Sequence, residues 1–163
     1  MFARLAGLTT FLLSAALLAA PRADAARPVV TEGTESSDSF VTDCGDFDLR
    51  DSWTLAWHGQ IFLDDDGNPT RIAEHVAGTD TFYNPETGES ITGTTSHHEV
   101  LDISNGTLTE NGAIARITAP GLGVVYFDIG RFALDLDEGL TFLAGHHHAL
   151  LDQDYTALCQ LLG

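Results

Sequence analysis

Three histidines stand in a row at His146-His147-His148, and a second pair, His97-His98, is followed at once by Glu99. Neutral imidazole and carboxylate are the groups that zinc and other first-row divalent ions accept. The same two groups can carry a proton to or from a bound molecule. Neither a nucleophile nor an oxyanion hole can be placed beside His97 and Glu99, so covalent catalysis is not indicated.

Whether these side chains meet depends on the elements that carry them. Turn signals recur at Asp64 to Pro69, Asn84 to Gly88, Asn105-Gly106, Glu110 to Gly112, Pro120 to Gly123 and Asp137 to Gly139. Between them lie segments rich in Thr, Val, Ile and aromatics, which reads as antiparallel strands. The expected strands are residues 52–63, 70–77, 80–83, 90–104, 113–118, 124–129, 131–135 and 140–145, followed by a helix over 154–162. About eight strands and a short C-terminal helix predict an all-β fold, a small antiparallel β-barrel, with a two-sheet β-sandwich as the alternative. Asp64-Asp65-Asp66-Gly67-Asn68 is read as a hairpin turn rather than a calcium loop, because strands flank it and the twelfth position is His75, not Glu.

Alternate strand residues point to opposite faces. Trp53, Leu55, Trp57, Ile61 and Leu63 therefore share an apolar face, with His58 on the other. His97 and Glu99 fall on the face of Ile91 and Leu101, and His98 points away. Glu74 goes with Ile72 and Val76, leaving His75 outside. In the last strand Leu140, Phe142 and Ala144 would share their face with His146 and His148, placing His147 opposite. A metal set of His97, Glu99, His146 and His148, with Glu74 nearby, is the resulting expectation, and zinc is the ion it suits; no resident cofactor is otherwise indicated. All of it depends on register, since a one-residue slip reverses a face.

The first 25 residues read as a signal peptide: Arg4, an apolar run from Leu5 to Ala20, and Ala23-Asp24-Ala25 as a small-x-small cleavage signal. A secreted, extracellular protein follows, with no membrane segment after cleavage. Residues 26–39 are polar and without period and read as a flexible acidic lead-in. Residues 40–163 form one β-rich domain. The chain has no lysine, and its net charge is −17. Such a surface repels nucleic acid and anionic membranes, since phosphate binding needs Lys and Arg. The two cysteines, Cys44 and Cys159, are expected to pair in an oxidising compartment.

Cys44-Gly45-Asp46-Phe47, the Asn84 to Gly88 turn, Gly121-Leu122-Gly123, Asp128-Ile129-Gly130-Arg131, and Gly145-His146 followed by Asp154 and Leu158-Cys159 resemble small secreted actinobacterial proteins of uncharacterised function. The resemblance runs from Cys44 to Leu162 and carries no catalytic residue with it. A looser likeness, in size and strand count, is to allene oxide cyclase and dirigent-type barrels, and fold alone does not transfer function. A monomeric or weakly oligomeric binding module is the leading expectation. Its interior, lined by Trp53, Trp57, Tyr126 and Phe142, would take a small apolar or aromatic ligand. The alternatives are an isomerase- or cyclase-like enzyme moving a proton with His97 or Glu99, and a metal binder.

Overall fold

The structure is a computed structural model that describes residues 27–147 and 153–163. Seven strands follow one another: β1 (Val29–Asp43), β2 (Asp48–Leu63), β3 (Pro69–Tyr83), β4 (Ser90–Asp102), β5 (Thr107–Ala119), β6 (Gly123–Asp135) and β7 (Gly139–His147); a short helix, α1 (Thr156–Leu162), ends the chain. Each strand pairs antiparallel with the next, so the sheet is a meander in sequence order. The all-β class and C-terminal helix agree with expectation. The sheet is not closed: β1 and β7 are its two margins.

Three sequence expectations are corrected. Residues 29–39, read as a flexible lead-in, lie in β1, where Glu32 to Ser39 pair with Asp51 to His58 of β2. Polar side chains are no obstacle on an edge strand whose outer side faces water. The breaks expected after Ala77 and Ile129 are absent, and β3 and β6 run on through Gly78 and Gly130. Glu110-Asn111-Gly112, read as a turn, lies inside β5. The expected strands therefore merge into seven longer ones.

The true hairpin turns are held by carboxylates and amides accepting from their own backbone. Asp64 accepts from the N–H groups of Asp66 and Asn68, Asp102 from Asn105, and Asp135 from Asp137 and Glu138. Asn84 does two jobs. Its Oδ1 accepts from Glu86 N–H, and its Nδ2 donates to the Leu162 carbonyl at the C-terminal end of α1.

One face of the sheet is buried and the other is not, which a single layer achieves only by curling over its own side chains. The concave face carries Phe47, Leu49, Phe82, Ala115, Ile117 and Tyr126, sealed at one end by Tyr155, Leu158 and Leu162 from the α1 segment. Leu49, Ile117 and Leu158 are fully buried. The Cys44–Cys159 disulfide pins that helix to the chain leading into β2, as expected from the cysteine count. Trp57 lies so close over Gly33 that a Cβ there would stand 2.2 Å from its ring. Gly112, Gly130 and Gly145 pair in one line across β5, β6 and β7, and a Cβ at any of them would strike the neighbouring strand. This glycine line lets the curled sheet close up beside the candidate site.

Candidate functional site

Between the apolar zone under α1 and a smaller one of Leu101, Leu108 and Leu134, the concave face is polar. Register sets the rows. Glu74, Glu99 and Glu110 are direct cross-strand neighbours on β3, β4 and β5, and His97 lies two residues from Glu99 on the same face. Three carboxylates side by side on adjacent strands repel one another.

Burial sharpens the conflict. His97 and Glu110 are 8% and 7% exposed. Removal from water pushes the Glu110 carboxyl up to about 8, with the charges of Glu99 and Asp128 adding to the effect. Glu99 is raised by burial and then by Glu74, and Glu74 by burial. His97 is held below the usual imidazole range by burial and by His75 and His98. Its Nε2 stands 3.8 Å from Glu110 Oε2, beyond a hydrogen bond, and its Nδ1 is buried with no hydrogen-bond partner. An orphaned buried nitrogen of this kind costs about 1–3 kcal/mol.

His97, Glu99 and Glu110 each offer a ligand atom within 4.8 Å of the other two. Ligands around a tetrahedral zinc lie about 3.3 Å apart, so side-chain movements of an ångström or so would complete three bonds. A cation bound there would draw the imidazole and both carboxylates into bonds and offset the carboxylate repulsion. Without it, Glu110 carries its proton at neutral pH and can donate a hydrogen bond to a molecule on the concave face.

The C-terminal histidines do not join this set. A bulge in the β6–β7 ladder, between Ala133 and Leu134 opposite Phe142 and Leu140, adds one residue and reverses the later side chains. His146 is exposed on the convex face, edge-on to the Phe127 ring. His147 turns inward instead. Its Nδ1 is hydrogen-bonded to Asp128 Oδ1 at 2.8 Å and its Nε2 lies 3.0 Å from the Ala144 carbonyl oxygen, so both nitrogens are occupied. His148 lies outside the described residues.

The four expected aromatic ligand contacts also separate. Trp53 and Trp57 are half-buried on the concave face. Tyr126 belongs to the apolar core, stacked on Tyr155 at 5.6 Å between centroids. Phe142 is 48% exposed on the convex face, with the Arg131 guanidinium 5.6 Å above its ring, because the same bulge turned it outward.

Glu110, Asp128 and His147 are the residues that sequence reasoning missed. Apolar Leu108 and Ile117 of β5 lie an odd number of residues apart, which signals the parity change near Gly112 that brings Glu110 inward. No known family, curated protein or solved structure matches the chain.

Proposed function

We propose that this protein is a secreted binding protein whose concave face holds a divalent first-row metal ion, zinc by ligand type, through His97, Glu99 and Glu110. The observation that carries the reading is the cluster itself: His97, Glu99 and Glu110 offer ligand atoms within 4.8 Å of one another, and His97 is buried with an unpartnered ring nitrogen. Two carboxylates and one imidazole leave a coordination position for an exogenous ligand. Trp57 lies in the cross-strand row of His97, separated by Val76, and gives an apolar or aromatic small molecule a surface to rest on. Pairing of the β1 and β7 margins into a complete barrel would enclose that position. Export is supported by the leader-like first 25 residues and by the disulfide.

The test is zinc titration of metal-free protein lacking residues 1–25, read by calorimetry and melting temperature. One high-affinity equivalent is expected at this site, weakened at least about tenfold in both His97→Ala and Glu110→Gln and unchanged in His146→Ala. Binding that is absent, or indifferent to both concave-face substitutions, overturns the proposal.

A further inference from the structure

His58, His75 and His98 are scattered over three strands, yet the ladders put them directly opposite one another: His58 pairs with His75, and His75 with His98. All three are exposed and lie on the convex face, away from His97 and Glu99. Directly opposed residues on antiparallel strands have Cβ atoms about 4.5–5.5 Å apart. That spacing lets two opposed imidazoles reach one ion at bonds of about 2.0–2.1 Å.

The His75 and His98 rings lie 4.9 Å apart between centroids, and His75 Nε2 is 3.2 Å from Ser96 Oγ, which orients the central ring. Beside the row, Gln60, Ala73 and Val100 form the next cross-strand line, and the small Ala73 in its middle leaves a depression. The resulting groove has a volume of about 260 Å³ and is walled by the three histidines. Glu32 pairs with His58 at one end of the row, and Asn111 with His98 at the other.

We propose that His58, His75 and His98 form a second, open metal site on the convex face, for an imidazole-seeking divalent ion such as Cu²⁺ or Zn²⁺. His75 is the central ligand, shared by either neighbouring pair. The site's three ligands differ from those of the concave-face cluster in exposure and in being all imidazole. Its all-imidazole character favours copper, the strongest binder among the first-row divalent ions. Being exposed, it exchanges its ion with the medium and leaves positions for a further ligand.

Copper(II) titration of the chain lacking residues 1–25, followed by electron paramagnetic resonance, tests this. Nitrogen hyperfine structure from two or three imidazoles is expected. His75→Ala should weaken that binding at least about tenfold, and His58→Ala and His98→Ala less, because each leaves one opposed pair intact. Exposed substitutions of this kind leave the fold intact, so lost binding is not lost structure. In a His97→Ala/Glu110→Gln background the two- or three-nitrogen pattern should persist, which separates this site from the concave one, whose single imidazole supplies one nitrogen. Wild-type copper binding in His75→Ala, or a nitrogen signal that disappears instead in a His146→Ala/His148→Ala variant, overturns the proposal.

Discussion

His147 donates from Nδ1 to Asp128 Oδ1 across 2.8 Å, with both side chains shut off from solvent at 0% and 1% exposure. The pair joins β6 to β7 directly, and Ala144 holds the second ring nitrogen. Removing one member of a buried pair strands the other, which costs about 3–5 kcal/mol, whereas replacing both with apolar residues is far milder. Asp128→Ala is therefore expected to lose about 3–5 kcal/mol in urea unfolding, and Asp128→Leu/His147→Leu to recover most of it. A single variant within 1 kcal/mol or so of wild type would show that the pair contributes little.

Glu110 predicts a pH dependence in the metal-free protein. Its folded carboxyl is raised from 4.5 to about 8, so between those values the native state holds a proton that the unfolded chain has released. The stability associated with that proton is complete below about 4.5, declines as pH rises, and is gone above about 8. Glu110→Gln should flatten that decline, and the expected gain at pH 9 is on the order of a few kcal/mol. Zinc binding should also release a proton near neutral pH, seen as a buffer-dependent heat in calorimetry. A wild-type melting curve no steeper in pH than that of Glu110→Gln would contradict this.

Asp80 offers the same sign in a different window. Burial pushes it from 3.8 to about 6, and its Oδ2 is buried without a hydrogen-bond partner. Here the stabilising proton is present below about 3.8 and lost as pH passes about 6. Asp80→Asn should raise the melting temperature at pH 7.5 by an amount corresponding to roughly 2–3 kcal/mol, and change little at pH 3.5. Equal effects at both pH values would mean that the gain comes from packing rather than from charge.

The disulfide spans 115 residues. In the chain-entropy view, closing so long a loop contributes about 4–5 kcal/mol, part of it offset by native-state adjustment. Cys44→Ala/Cys159→Ala should lower stability by an amount of that order and expose the core beneath α1 first. Hydrogen exchange can read this: protection should fall at Leu158 and Leu162 before it falls at His97 and Glu110. Uniform loss across the sheet would show that the helix does not come away separately.

Much of β2, β3 and β4 was legible from alternation alone. Trp53 and Trp57 set one face of β2, and the same period put His97, Glu99 and Glu74 on the concave side while sending His58, His75 and His98 out. Alternation failed where the ladder slips. Bulges at Ala113 to Ala115 in β5 and at Leu140 to Phe142 in β7 each add a residue that no local composition announces. Glu110 was hidden because Glu110-Asn111-Gly112 reads as a turn although it lies within β5, and the second bulge exchanged His146 for His147. The convex histidine row was illegible for another reason: each residue was placed outward correctly, but only pairing between strands makes them neighbours.

The position of Cys44 has a consequence for how the sheet can come apart. The covalent ring that it closes with Cys159 contains β2 to β7 and the first half of α1, while β1 lies wholly before it. β1 is attached through its ladder to β2 and through the cluster of Asp38 with Arg50 and Tyr83. It is thus a detachable margin on a stapled body. A nick just ahead of Cys44 would free it without opening the ring, and the vacated edge of β2 could then accept the same strand from another copy.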